Sequence, residues 1–211
     1  MRHSSVERLR RSMSWIAALV FLTIVAFSEV PPPSAALYKS LKILGYALII
    51  GAALGRIWCN IYITGRKDKE LCTDGPYSLC RNPLYLFSFM GITGVMCAIQ
   101  NIPLLLASIP LFWVYYYFVI TSEEERLRDL FGDRFRAYSD KTGRLLPRFG
   151  NYRSRTIIEI RPAAMARAVS DAGVFLWLIV LIEIREMVSV LHPDSSIGDM
   201  VMQFMLTIVR S

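Results

Sequence analysis

Long apolar stretches separated by polar loops dominate the hydrophobic pattern of this chain. Five such stretches lie at about residues 15–30, 43–63, 84–100, 102–120 and 172–191. None shows the alternation of a strand, and a helix that crosses a bilayer core of about 30 Å needs about 20 residues. The pattern therefore predicts an all-α fold, a polytopic membrane helix bundle with about five transmembrane helices.

The region around the third and fourth stretches predicts two local structures. Only Gln100 and Asn101 separate these stretches, which indicates a tight helical hairpin. From Thr121 to about Tyr138 the chain becomes charged but keeps apolar residues on a helical period. We expect a cytoplasmic amphipathic helix there, which continues or abuts the fourth span and ends before Gly143.

The same pattern divides the chain into three parts. Residues 1–42 are predicted to form an N-terminal anchor helix and loop, because no signal-cleavage pattern follows the first stretch. Residues 43–149 form the membrane core, and residues 150–211 an extension with a fifth membrane helix and a short terminal helix. Glu183, Arg185 and Glu186 interrupt the fifth stretch, so it either crosses the bilayer or emerges at the outer interface.

Composition and charge agree with a membrane protein. Of the 211 residues 54% are hydrophobic and 19% are charged, with a net charge of +7. The basic residues concentrate in the N-terminal tail, in the loop after the second stretch and after the fourth, which places these segments in the cytoplasm. This distribution favours topology over nucleic-acid binding. We expect an integral protein of the bacterial inner membrane or endoplasmic reticulum, with a cytoplasmic N-terminus.

Cysteine and histidine residues give no pattern of metal ligands. The spacing of Cys72 and Cys80 fits no zinc or redox motif, and His3 and His192 are solitary. The sequence therefore predicts reduced, mostly buried thiols and no metal site.

A first group of candidate site residues lies where the second loop meets the third stretch. Its members are Gly75, Pro76, Tyr77, Arg81, Asn82, Pro83 and Tyr85. Gly75 and Pro76 are typical of a turn, and Asn82 with Pro83 is typical of a helix N-cap followed by the first helical position. Local structure explains these four residues, but it does not explain the flanking arginine and tyrosines.

A second group follows the fourth stretch, at residues 122–125, which are a serine and three glutamates. They can form a capping box at a helix start. Alternatively, adjacent carboxylates repel one another and require a cation, which Arg81, Arg144 or a ligand can supply. If the intervening hairpin crosses a membrane and returns, both groups face the same side.

Together these groups resemble the superfamily of isoprenylcysteine carboxyl methyltransferases and phospholipid methyltransferases, integral membrane enzymes that use S-adenosylmethionine. The residues that carry the resemblance are Gly75, Pro76, Tyr77, Arg81, Asn82, Pro83, Tyr85, Glu123, Glu124, Leu127, Phe131, Gly132, Phe135, Tyr138, Arg144 and Pro147. The resemblance covers about residues 43–149. The chain departs from it at Asn82, where many relatives have histidine, and at Phe135, where tyrosine is usual.

The resemblance implies a pocket for S-adenosylmethionine on the cytoplasmic face and a lipid or lipidated acceptor that enters between helices. The implied cofactor-binding residues are Gly75, Tyr77, Arg81, Asn82, Pro83, Tyr85, Glu123, Glu124, Tyr138 and Arg144. Of these, Arg81, Glu123 and Glu124 are the expected catalytic residues. The acceptor group stays open between a carboxylate, an amine and another polar head group. Two other classes stay open as well, a sterol-type reductase that uses NADPH and a non-catalytic membrane scaffold or transporter.

Overall fold

The protein is described by a computed structural model that covers residues 36–66, 68–158, 160, 162–191 and 206–207. Its helices are α1 (Ala36–Ile63), α2 (Pro76–Leu79), α3 (Pro83–Ile99), α4 (Ile102–Phe131), α5 (Asp133–Lys141) and α6 (Pro162–Leu191), with a 3-10 turn at Phe149–Asn151. Within these described ranges there is no β-strand, and one isolated bridge joins Cys80 to Gly143. The all-helical prediction is confirmed.

The chain divides into two compact units. One unit comprises residues 36–180 and contains α1 to α5 with every predicted site residue. The other comprises residues 1–35 and 181–211, of which the described part is the end of α6 and residues 206–207. The division at residues 42 and 149 expected from the hydrophobic pattern stays a prediction.

Two of the described helices, α1 and α4, are long and apolar enough to cross a membrane. The apolar helix α3 is shorter, and α6 does not meet the same criteria of length and composition among the described residues. The predicted first span at 15–30 lies outside the described residues, and so does the short terminal helix except for residues 206–207. The coarser prediction of a helical protein with membrane spans stands, whereas the count of five is not confirmed.

Small residues bring α1 and α3 into backbone contact. A Cβ atom added to Gly45 would lie 2.5 Å from the backbone nitrogen of Ala98, and one added to Gly94 would lie 2.8 Å from the carbonyl oxygen of Gly45. Any larger side chain at either position would push the helices apart. Close approach through glycine is typical of helices that pack in a membrane. This contact sets the position of α3 along α1.

The connection between α3 and α4 is the short hairpin expected from the sequence. Gln100 adopts a left-handed conformation with φ of 65°, and the Asn101 side chain accepts a hydrogen bond from the backbone N–H of Leu104. Two ring pairs hold the helices antiparallel, Tyr85 with Tyr116 at 5.2 Å and Phe89 with Phe112 at 4.4 Å between centroids. The start of α3 therefore lies beside the second half of α4.

Helix α4 runs without interruption through residues 122–125 and ends at Phe131. The capping-box interpretation of these residues was therefore wrong, because no helix begins there. The single amphipathic helix expected from Thr121 to Tyr138 is also divided. Gly132 has φ of 51°, which residues with a Cβ atom rarely adopt, so the chain turns and a separate helix, α5, starts at Asp133.

Candidate functional site

The turn before α2 is built around Gly75. Its φ is 59°, and a Cβ atom there would lie 2.4 Å from the ring of Tyr62, so only glycine fits without a shift. The backbone N–H of Gly75 donates to the carbonyl oxygen of Arg153 at 2.7 Å, and the Ser78 hydroxyl donates to the Gly75 carbonyl at 2.6 Å. The turn is thus fixed from both sides and positions Arg81 after α2.

The chain after α5 runs alongside the residues that precede α3. The Arg81 N–H donates to the carbonyl of Gly143 at 2.8 Å, and the Arg148 N–H donates to the carbonyl of Leu79 at 2.9 Å. These backbone bonds bring Arg144 next to Arg81, although they are far apart in sequence.

Asn82 occupies the N-cap position of α3, and Pro83 is the first helical residue, as the sequence indicates. The expected side-chain cap is absent, however, and that part of the interpretation was wrong. The Asn82 amide instead donates to Glu124 Oε1 at 2.9 Å and to the carbonyl of Arg144 at 3.1 Å. A hydrogen bond to an ionised carboxylate is stronger than one between neutral groups, so the side chain turns its NH2 group towards Glu124 on α4 instead of its oxygen towards the backbone N–H groups of α3.

Glu124 is the centre of this arrangement. Its side chain is 10% exposed, and its Oε1 accepts from Arg81 Nε at 3.0 Å as well as from Asn82. Its Oε2 lies 3.3 Å from Arg144 Nε, a close ion pair without the alignment of a hydrogen bond, since that nitrogen is buried and makes none within the described residues. We call Arg81, Asn82, Glu124 and Arg144 the Glu124 cluster.

Further contacts fix the two guanidinium groups of the Glu124 cluster. Arg81 Nη1 donates to the carbonyl of Ser139 on α5 at 2.7 Å. Arg144 Nη2 donates to Thr121 Oγ1 at 2.6 Å, and the same guanidinium lies 5.2 Å from the centre of the Tyr117 ring. Two cations face one carboxylate, so the cluster carries excess positive charge. Ser139 and Thr121 were not predicted, because a backbone carbonyl and a helix-facing hydroxyl leave no signature in sequence.

Glu123, predicted to lie in the same site as Arg81, pairs with a different arginine. Its Oε1 accepts from Arg126 Nη2 at 2.6 Å, and Arg126 also pairs with Asp68 at 2.6 Å. Neighbouring residues on a helix point about 100° apart because there are about 3.6 residues per turn. Glu123 therefore faces the loop after α1, while Glu124 faces the start of α3.

The three predicted tyrosines lie around the Glu124 cluster in different ways. The Tyr138 hydroxyl donates to the carbonyl of Tyr77 at 2.6 Å, and burial raises the pKa of both phenols. The Tyr77 ring packs in an apolar group with Cys59, and its hydroxyl has no partner among the described residues. Tyr85 packs edge-on against the ring of Tyr116.

A second ionic group lies beside the Gly75 turn. Arg66 pairs with Glu70 and Asp74, each at 3.0 Å, and Arg155 pairs with the same two carboxylates, at 2.8 Å to Asp74. We call these four residues the loop clamp. Hydrogen bonds from Arg66 and Arg155 lower the pKa of Glu70 to about 2. No residue pattern indicates that residues beyond 150 contact this turn.

The four cysteines are buried and unpaired, as expected. Burial raises the pKa of Cys72 to about 12 and that of Cys80 to about 11. In the part of the chain that the structure describes, no group of three or more His, Cys, Asp or Glu side chains is arranged to hold a metal ion.

Comparison with known proteins identifies the family. Residues 53–134, which include all of α3 and the Glu124 cluster except Arg144, match the phospholipid methyltransferase family. The chain is also similar to a protein-S-isoprenylcysteine O-methyltransferase of Schizosaccharomyces pombe, with 34% identity over 95 residues that cover 44% of this chain and 40% of the relative. No solved structure matches.

Two bacterial relatives match over a longer range. The cobalt-zinc-cadmium resistance protein CzcN of Cupriavidus metallidurans is 35% identical over 147 residues, which cover 70% of this chain and 66% of the relative. The nickel-cobalt-cadmium resistance protein NccN of Alcaligenes xylosoxydans xylosoxydans is 34% identical over 148 residues, with 70% and 69% covered. The chain thus spans about two thirds of each relative's length. With the fold and these matches together, the chain belongs to the superfamily of isoprenylcysteine carboxyl and phospholipid methyltransferases.

Proposed function

We propose that this protein transfers a methyl group from S-adenosylmethionine to a lipid or prenylated acceptor at the cytoplasmic face of a membrane. The observation that carries the proposal is the Glu124 cluster. Three segments of chain, the start of α3, the second half of α4 and the segment after α5, meet at one buried carboxylate. The Asn82 side chain bonds Glu124 instead of capping α3, and the formation of the helix alone does not require that orientation.

The charges of the Glu124 cluster fit the amino-acid end of S-adenosylmethionine. That end carries one carboxylate and one ammonium group, and the cluster offers two guanidinium groups and one carboxylate. The buried Nε of Arg144, which makes no hydrogen bond within the described residues, is a donor that a ligand carboxylate would satisfy. We assign Arg81 and Arg144 to that carboxylate and Glu124 to the ammonium group.

The remaining predicted residues would shape the pocket around these charges. Glu123, Tyr85 and Tyr138 lie on elements next to the Glu124 cluster. Gly75, Tyr77 and Pro83 set the backbone path that leads to Asn82. We propose that all six contribute to the cofactor pocket through shape, and that Glu123 contributes from its rim.

Bound S-adenosylmethionine would supply an electrophilic methyl group on a sulfonium. The protein must then hold the acceptor in line and exclude water, because alignment at near-contact distance is the main requirement of such a displacement. Asn82 and Glu124 are both buried, which supports a reaction site shielded from bulk solvent. The acceptor's own oxygen or nitrogen provides the electron pair, so no side-chain nucleophile is needed.

The topology of the proposal follows the basic residues. The N-terminus, the loop after α1 and the segment after α4 lie in the cytoplasm of a five-span protein, with residues 43–149 as the catalytic core and residues 150–211 as an extension. Supporting this, the Glu124 cluster lies at the end of the α3–α4 hairpin opposite its tight connection at Gln100 and Asn101. This topology is compatible with a location in a bacterial inner membrane or in the endoplasmic reticulum.

A labelled methyl donor tests the proposal. Purified protein is incubated with methyl-labelled S-adenosylmethionine and a total membrane lipid extract, and the lipids are separated by thin-layer chromatography. We expect label in a lipid band with the wild type and with Glu125→Gln, an exposed neighbour outside the cluster, and its loss in Glu124→Gln. Absence of labelled lipid with the wild type would contradict the proposal. Binding of NADPH without binding of S-adenosylmethionine would point to a reductase instead.

A further inference from the structure

Helix α1 carries a guanidinium group inside its apolar stretch. Arg56 lies about two turns before the end of α1 at Ile63, or about 10 Å at 1.5 Å per residue. Ionisable residues within a span are costly, and they generally pair with another group or mark a binding site. Arg56 therefore requires an explanation that the Glu124 cluster does not provide.

The described partners of Arg56 are neutral. Its Nη1 donates to the Ser88 hydroxyl on α3 at 2.7 Å, and its guanidinium lies 5.5 Å from the centre of the Phe175 ring. Among the described residues no carboxylate pairs with Arg56, and its buried Nε has no hydrogen-bond partner. Such a cation is expected to take a further hydrogen-bond acceptor, because leaving a buried charged donor unsatisfied is unfavourable.

Two hydroxyl groups converge on the same point. Ser88 donates its hydrogen to the carbonyl of Leu84 at 2.8 Å, so its oxygen accepts from Arg56. The Tyr116 side chain on α4 lies beside Ser88. Arg56, Ser88 and Tyr116 thus bring polar groups from three helices together within apolar segments, and we call them the Arg56 site.

The Arg56 site and the Glu124 cluster lie along the same helical hairpin. On α3, Ser88 follows Asn82 by about 9 Å at 1.5 Å per residue. The rings of Tyr85 and Tyr116, packed edge-on, lie on the intervening turns. An extended lipid acceptor can therefore contact both places at once, with its reacting atom at one and another polar group at the other.

We propose that Arg56, positioned by Ser88 and Tyr116, binds an anionic group of the acceptor, a lipid phosphate or carboxylate, and so selects acidic lipids. Guanidinium groups recognise both anions through paired N–H donors, and the Nε of Arg56 is available for this. The inference rests on the proposed methyl transfer, because it names a substrate feature for that reaction. It assigns binding, and not chemistry, to Arg56.

The test measures lipid binding by the full-length protein in neutral detergent micelles. Tryptophan fluorescence follows titration with three probes: short-chain phosphatidic acid, N-acetyl-S-farnesylcysteine and zwitterionic short-chain phosphatidylcholine. The variants are Arg56→Gln, Arg56→Lys and Ser88→Ala, with Lys42→Gln as the matched control that removes another cation of α1. S-adenosylmethionine is titrated separately into each protein.

We expect at least one acidic probe to bind the wild type and Lys42→Gln at least tenfold more tightly than Arg56→Gln, with Arg56→Lys intermediate. Phosphatidylcholine and S-adenosylmethionine should bind all variants alike, and the tighter acidic probe distinguishes a phosphate from a carboxylate. Equal binding of acidic probes to wild type and Arg56→Gln, or no preference of the wild type for acidic probes, overturns the inference. If Arg56→Gln does not fold, the affinities of Arg56→Lys and Ser88→Ala for the acidic probes are compared with that of the wild type instead. A wild type that does not bind S-adenosylmethionine contradicts the proposed function separately.

Discussion

Removing the Glu124 side chain should destabilise the protein far more than removing its neighbours. Glu124→Ala deletes the acceptor of Arg81 and Asn82 and leaves Arg81 and Arg144, whose side chains are 16% and 34% exposed, without a counterion. Breaking a buried pair in this way costs about 3–5 kcal/mol. We expect the lower half of that range, because water can reach Arg144.

This cost is measurable as a shift in thermal unfolding of the detergent-purified protein. For a chain of this size each kcal/mol lowers Tm by about 2–4 °C, so Glu124→Ala should lower it by about 6–16 °C. Glu124→Gln, which retains an acceptor oxygen but loses the charge, should fall between that variant and the wild type.

Two neighbours on α4 serve as controls for this experiment. Glu125 is exposed, and its replacement by alanine should change stability by no more than about 0.5 kcal/mol. Glu123→Ala removes a partly exposed ion pair with Arg126, which is worth about 0–1 kcal/mol. The reasoning is refuted if Glu124→Ala unfolds within 2–3 °C of Glu125→Ala, or if Glu123→Ala is the most destabilised of the three.

Three further predictions concern the loops around the site. Cys72 and Cys80, with pKa raised to about 12 and 11, are at most about one part in a thousand thiolate at pH 8, so mass spectrometry should find them unmodified by maleimide until the protein is denatured. Because the pKa of Glu70 is lowered to about 2 from 4.5, its contribution to stability is complete above pH 4.5 and disappears as the pH falls towards 2. The Tm difference between wild type and Glu70→Gln should therefore be constant from pH 5 to 8 and shrink below, and a difference that grows in acid would contradict this. Gly75→Ala should lower Tm by about 2–8 °C or more, which corresponds to a loss of about 1–2 kcal/mol or more, because of its positive φ and the clash with a tyrosine ring. An unchanged Tm would show that the turn can relax.

The sequence allowed prediction of the α3–α4 hairpin and of the meeting of two distant groups. The apolar lengths and the short link at Gln100 and Asn101 indicate an antiparallel hairpin, and antiparallel helices place Asn82 beside residues 122–125. The sequence does not indicate which of the adjacent glutamates faces the site. Glu123 and Glu124 are adjacent, and only the rotation of α4, set by ring packing such as Phe89 on Phe112, directs Glu124 inward.

Other features depend on competition between local and distant partners. Asn82 is a good N-cap by itself, but Glu124 competes for its amide once the hairpin forms. Gly132 is tolerated inside many helices, and here its positive φ divides a helix that the periodicity of apolar residues suggested was continuous. The contact of Arg155 with the loop clamp depends on the path of a segment without regular structure, which residue patterns do not specify.

The two relatives named for metal resistance align with this chain over a longer range than the isoprenylcysteine methyltransferase does. No three potential metal-ligating side chains are grouped in the residues that the structure describes, and the Glu124 cluster is rich in arginine, which does not bind metal cations. The cluster therefore supports the methyltransferase proposal from the superfamily.

Equilibrium titration with S-adenosylmethionine tests the central claim most directly. The claim is that the start of α3 and the second half of α4 together hold the charged end of this cofactor. We expect the wild type and Glu125→Gln to bind it with equal affinity, and Glu124→Gln and Arg81→Gln to bind it at least about tenfold more weakly, the loss expected for one charged hydrogen bond. A wild type that does not bind S-adenosylmethionine, or variants that bind it as tightly as the wild type, would contradict the claim.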